Sequence, residues 1–243
     1  MEVLAERVQT HARDLGATFA AFADLRALPK EVRKGLPIGI SLGLALDPAI
    51  VTEIADGPTP AYAAEYERAN RRLEDIADGC AALLREGGYK AEAGRPTVGN
   101  VEAILLETHL PHKTVATLAG VGWIGKCALL ITEEYGSAVR YNTVLTDAPL
   151  PTAEPIRTSR CGSCEACVLL CPVDAVSGRE WTPDLQRDDL YDAFACLDHA
   201  YDLVQSRKIR HAICGMCIAA CPYTQRYIER ARAAPVGPEG AST

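Results

Sequence analysis

The chain has 243 residues, more than one domain usually takes, and its 48% apolar and 23% charged side chains exclude a largely disordered or collagen-like protein. The 25 Lys and Arg against 32 Asp and Glu give a net charge of -7 without a basic run, which argues against a large phosphate-binding surface. The longest apolar stretch, 37–51, is broken by Asp47 and is shorter than the roughly 20 residues of a membrane helix, and the start Met1-Glu2-Val3 has no signal-like pattern, so a cytoplasmic protein without membrane contact is expected.

In chain order, Val3, Leu4, Val8 and Leu15 recur at near-helical spacing and predict an amphipathic first helix. Ala17 to Ala23 and Ile38 to Leu46 are short apolar runs bounded by Pro, Gly and Asp, the pattern of buried strands, with a loop from Leu28 to Gly35 between them. Thr59 to Arg85 sets Tyr62, Tyr66, Leu73, Ile76, Leu83 and Leu84 on one helical stripe and stops at Gly87-Gly88. Cys80 shares that apolar context and reads as a small buried hydrophobe. A strand near Tyr89 to Ala93 precedes a helix over Lys113 to Ala119, and the glycine-rich turn from Gly120 to Lys126 follows. Cys127 to Thr132 and Ala138 to Thr146 flank Glu133 to Ser137 and predict a hairpin.

These elements predict an α+β or mixed α/β domain over residues 1–150. The Pro-rich run from Asp147 to Pro155 marks a boundary, and residues 151–230 form a smaller, cysteine-dominated domain. A polar connector with helical character spans Asp184 to Ile209, and residues 231–243 read as a flexible Gly/Pro/Ala tail.

Of ten cysteines, eight lie between Cys161 and Cys221. In a chain of this length without a signal pattern, such clustering favours metal or cluster ligation over disulfides. Cys161, Cys164, Cys167 and Cys171 followed by Pro172 have the C-x2-C-x2-C-x3-C-P spacing of bacterial ferredoxins, in which the fourth cysteine ligates the other cluster. Cys214, Cys217 and Cys221 with Pro222 repeat the pattern, but His211 stands where its first cysteine would be. Cys196 supplies the missing thiolate. The ligand sets are then Cys161, Cys164, Cys167 and Cys221 for one 4Fe-4S cluster and Cys171, Cys196, Cys214 and Cys217 for the other. Two alternatives stay open: structural zinc in the CxxC pairs, and His211 as a ligand in place of Cys196.

Gly120, Gly122 and Gly125 satisfy G-x-G-x-x-G, yet a helix precedes them and a strand follows. A dinucleotide fingerprint needs the reverse order, so nicotinamide binding is set aside.

The segment from Ala119 to Lys126, then Leu129-Leu130-Ile131, Leu145-Thr146-Asp147 and the double set of cysteines make the chain similar to the epoxyqueuosine reductase family, and in particular to its short relatives described as 4Fe-4S double-cluster-binding proteins. The resemblance implies a bacterial-ferredoxin-like two-cluster domain. Electrons would pass through the cubanes to cobalamin held by the N-terminal domain, which reduces an organic substrate. It implies that Gly120, Gly122, Trp123, Gly125, Lys126 and Asp147 line the corrinoid pocket, and that a ferredoxin or flavodoxin donates the electrons. Thr108-His109-Leu110-Pro111 fills the stretch where the tRNA-acting members carry an acid, and the chain ends before their helical repeat region. Residues 151–243 hold ten basic and twelve acidic side chains, so tRNA is expected not to be a partner, leaving a small-molecule or corrinoid substrate.

Glu107, His109 and His112 cluster before the glycine turn. Glu107 and His112 are the candidate catalytic groups, for proton delivery or an axial contact to a corrinoid, against a plainer role in capping the next helix. Cys127 reads either as a buried thiol or as a reactive one near the site. The expected function is an iron-sulfur oxidoreductase; the alternative is a ferredoxin-like electron-transfer or corrinoid-activating protein without a small-molecule substrate of its own.

Overall fold

Strand Ile38–Ala45 alternates Ile38, Ile40, Leu42 and Leu44 with Gly39, Ser41 and Gly43, and this alternation organises the N-terminal half. The computed structural model describes residues 1–96, 106 and 108–233. Its first half contains α1 (Glu2–Asp14), β1 (Phe19–Asp24), β2 (Ile38–Ala45), α2 (Pro48–Thr52), α3 (Pro60–Glu86), β3 (Ala91–Ala93), α4 (His112–Leu118), β4 (Gly122–Ile124), β5 (Leu130–Thr132) and β6 (Val139–Thr146). The second half adds α5 (Ala166–Leu170), α6 (Arg187–Leu190), α7 (Ala193–Arg207), α8 (Met216–Ala220) and α9 (Pro222–Ala233).

Four strands pair in the order β1-β2-β6-β3, every neighbour antiparallel, which realises the α+β form of the expected fold. The register sets Phe22, Ile40 and Val144 in one row and Ala23, Gly39 and Leu145 in the next. Side chains alternate across a sheet, so the first row joins α1 and α3 in the main core and the second faces Val115 of α4. Gly39 permits that approach: a Cβ there would lie 2.7 Å from Cγ1 of Val115. The start of α4 is thereby held against the sheet, which fixes His112 and Lys113.

α3 covers the Ile face as its stripe predicts, capped by Thr59, whose hydroxyl accepts the Tyr62 N–H at 3.1 Å. Cys80 is fully buried in this core, where burial pushes its thiol up to about 12. Val204, Ile213, Ala219 and Ile228 from the second half join the same core.

The expected hairpin does not form. β5 pairs instead with β4, in the segment read as a glycine turn, while β6 runs between β2 and β3. Gly122 explains the choice: a Cβ there would lie 2.1 Å from the Ile131 carbonyl oxygen, so only glycine lets the two strands come this close. The Thr132 hydroxyl accepts the Tyr135 N–H at 3.0 Å and closes a turn that releases β6 into the larger sheet. α2 carries no clear signal beyond Asp47-Pro48, the cap and first residue of a single short turn. The expected tail begins as the end of α9, through Ala233; residues 234–243 lie outside the described residues.

Candidate functional site

The two cysteine motifs fold as a matched pair. α5 carries Cys167 in its first turn and ends at Cys171; α8 carries Cys217 in its first turn and ends at Cys221. Both terminal cysteines are extended, with φ -71 and ψ 113 at Cys171 and φ -64 and ψ 124 at Cys221. The following prolines impose this, because a proline ring clashes with a helical residue before it. Each fourth thiol is therefore turned out of its own helix. Backbone N–H groups meet these sulfurs: Ala175 donates to Cys171 Sγ at 3.3 Å, and Tyr223 and Thr224 donate to Cys221. Burial pushes the Cys221 thiol up, and these donors oppose it by favouring the thiolate that ligates iron.

Cys196 is brought in by α7. Asp192 caps that helix by accepting the Phe194 and Ala195 N–H groups, and its own N–H donates to the Ala175 carbonyl at 2.8 Å, tying the helix start beside Cys171. Cys171, Cys196, Cys214 and Cys217 consequently line one cavity of about 340 Å³. Burial, then the neighbouring Cys214 and Cys171, push the Cys196 thiol up to about 11. Cys167 also lines this cavity, whereas Cys161 and Cys221 pack with it around Trp123. All eight are free thiols. Among the described residues no three His, Cys, Asp or Glu side chains converge closely enough for a single metal ion; a cubane asks instead for four thiols spread around a volume. His211 is directed elsewhere: its Nε2 lies 2.7 Å from Glu67 Oε1, and its ring leans on Tyr66.

The other wall comes from α4, β6 and the segment after β4. His112 is there, but both ring nitrogens are engaged. Nε2 donates to the Arg95 carbonyl at 2.7 Å, so Nδ1 accepts the Thr143 hydroxyl at 2.9 Å. His112 thus pins α4 to the sheet and has no free nitrogen for the proton delivery expected of it; burial lowers its pKa.

Lys113, its neighbour, lines the cavity and donates to the Ala128 carbonyl at 2.8 Å. Burial lowers its pKa to about 8, the Cys127 sulfur partly opposing and Arg187 adding to the fall. Sequence reasoning missed it. The available signal was a lysine in the first turn of a helix, where the helix dipole disfavours a cation. His199 also lines the cavity, and its Nε2 is buried without a hydrogen-bond partner.

The glycine-rich segment lies beside this cavity rather than on it. Gly120, Gly122, Trp123, Gly125 and Lys126 are not part of this cavity's lining; Trp123, Gly125 and Lys126 lie behind the thiols. Trp123 packs among the cysteines, a Cβ on Gly125 would lie 3.5 Å from Cys161 Sγ, and the charge of buried Lys126 acts on Cys167. Asp147 is exposed at the end of β6, where its carboxylate accepts the Lys90 N–H at 2.7 Å, and it is likewise absent from the lining. Glu107 lies outside the described residues.

A double set of thiols between a buried wall and a four-stranded sheet defines a two-cluster iron-sulfur protein, and residues 160–224 match the family model for the 4Fe-4S double cluster binding domain. The chain is 36% identical over 117 residues to epoxyqueuosine reductase of Listeria monocytogenes, covering 48% of this chain and 30% of that one. It is 27% identical over 220 residues to that of Vibrio cholerae, covering 83% and 53%. The chain spans roughly a third to half the length of these relatives. Among solved structures, a selenomethionine-labelled epoxyqueuosine reductase aligns with a TM-score of 0.65 at 18% identity, over 92% of this chain and 66% of that one. A reductive dehalogenase studied for B12-dependent dehalogenation aligns with a TM-score of 0.67 at 18% identity, over 95% and 34%. The resemblance read from the motifs stands: the chain is epoxyqueuosine reductase-like in sequence and in fold.

One expectation is overturned. An epoxyqueuosine reductase that aligns with a TM-score of 0.62 at 19% identity over 92% of this chain and 66% of that one was solved with an epoxyqueuosine-modified tRNA stem loop, so tRNA is not set aside as a partner. A net charge summed over a segment averages its faces and does not decide whether local arginines meet phosphates. Among the described residues, no helix is long and apolar enough to cross a membrane.

Proposed function

We propose that the protein is an iron-sulfur reductase. Electrons from a ferredoxin or flavodoxin enter through the cubane held by Cys161, Cys164, Cys167 and Cys221 and pass to the one held by Cys171, Cys196, Cys214 and Cys217. They leave into the cavity that this second group walls. The observation that carries the reading is the shared cavity: five cluster thiols and the half-buried Lys113 line the same space.

Reduction of an organic substrate needs a proton as well as electrons, and Lys113 holds one at Nζ with a pKa of about 8, close to working pH. The hydrogen bond to Ala128 O orients it, and the His112 bonds to Arg95 and Thr143 fix the helix that presents it.

Cobalamin is the further group that the kinship with B12-dependent dehalogenation supports. The unpartnered Nε2 of His199 and the ammonium of Lys113 are the groups suited to its amide-rich edge. A cavity of about 340 Å³ takes an organic substrate or one edge of a corrinoid rather than the whole cofactor. When bound, a corrinoid would supply a metal centre that relays cluster electrons to the substrate.

The test is anaerobic. Reconstituted protein is reduced, desalted with cob(II)alamin, and offered an epoxyqueuosine-modified tRNA stem loop. Retained corrinoid and conversion of the modified base support the proposal; reduced clusters that pass electrons to neither corrinoid nor substrate contradict it.

A further inference from the structure

Eight cysteines are used by the two ligand sets and Cys80 is enclosed in the main core, which leaves Cys127. This ninth thiol is 7% exposed and lines the cavity, packed with Trp123, Ile131 and Val176 among the cluster cysteines. It shares this packing and the cavity wall with both Cys167 and Cys217. Those residues occupy equivalent first-turn positions in α5 and α8, and the two ligand sets place them on different cubanes. A thiol that ligates no iron keeps its single proton to give.

The local sequence builds this position. Gly125 accepts the Ala128 N–H in a tight turn, with Ala128 at φ 58, and the Gly125 N–H donates to Leu129 at 2.9 Å. That turn between β4 and β5 carries Cys127 at its tip and presses it onto the two helices.

We infer that Cys127 is a positioning residue for the cluster pair: it remains a thiol wedged between one ligand of each cubane and donates an S–H···S hydrogen bond to a ligating sulfur, raising the reduction potential of that cluster. A donor at a ligating sulfur offsets the negative charge added on reduction, and hydrogen bonds to sulfur are among the factors that set cluster potentials. The inference rests on the two-cluster reading above.

Cys127→Ala, and Cys127→Val to refill the space without restoring the donor, are compared with the unmodified chain in anaerobic redox titrations followed by electron paramagnetic resonance. Both variants are expected to keep eight irons per chain. One cluster should become harder to reduce by about tenfold in its equilibrium constant, or ~59 mV for one electron. Cys127→Ser, which keeps a donor, should stay near the unmodified potentials. Unmoved or raised potentials in the variants overturn the inference, and so does the loss of four irons, which would make Cys127 a ligand. Fewer than eight irons in the unmodified chain would instead bring down the two-cluster reading on which it stands.

Discussion

His211 and Glu67 are joined by a hydrogen bond, Nε2 to Oε1 at 2.7 Å, between the approach to α8 and the long helix α3. The pair turns the imidazole toward α3 at the sequence position where a ferredoxin motif has its first cysteine, and Cys196 reaches the thiol-lined cavity in its stead. Cys196→Ala should therefore lose about four of eight irons, since each cubane takes four thiolates. His211→Ala should keep them all. Iron and sulfide analysis of both variants decides the assignment, and the opposite pattern would make the imidazole the ligand.

Lys113→Met should lower turnover about 10²–10⁴-fold, the range associated with a positioned proton donor, while leaving cluster content intact. In the unmodified protein the ammonium is the donating form, so kcat should fall as pH rises through about 8. A flat profile across that range, or a variant altered only in KM, would assign the proton to another group.

His112 bears on stability rather than on proton transfer. Burial holds its folded pKa below the ordinary 6.5, so the unfolded chain binds the proton more readily. The contribution of the neutral ring is present in full above pH 6.5 and is lost as pH falls through the lower folded value. Urea unfolding at pH 7.5 and pH 5 should show this loss, and His112→Gln should reduce the difference between the two.

Much of this was legible in the residues. The alternation in β2 and the stripe of α3 are burial patterns, and burial dictates them locally. The C-x2-C-x2-C-x3-C-P order announces the cluster thiols, and its prolines act on their immediate neighbours Cys171 and Cys221, a local effect. What the sequence did not disclose depends on partners distant along the chain. Gly122 reads as part of a turn because nothing local announces that Ile131 will press its carbonyl against it. Lys113 reads as an ordinary helix residue until the cysteine segment folds over it, and nothing local announces that Trp123 and Gly125 will pack against the cysteines.

Gly122→Ala should destabilise the β4-β5 pair, because the new methyl would meet backbone, which cannot rotate away. A cost of about 1–3 kcal/mol is expected for such overpacking, measured as a lower denaturation midpoint with an unchanged slope. The same variant should release iron faster than the unmodified chain, since this strand pair supports Trp123 against the cysteines.

The central claim is that eight thiols between Cys161 and Cys221 hold two cubanes beside a reducing cavity. Metal and acid-labile sulfide analysis of protein purified without oxygen tests it most directly. About eight irons and eight sulfides per chain are predicted; zinc at these cysteines, or four irons in a chain whose eight thiols are intact, would contradict it.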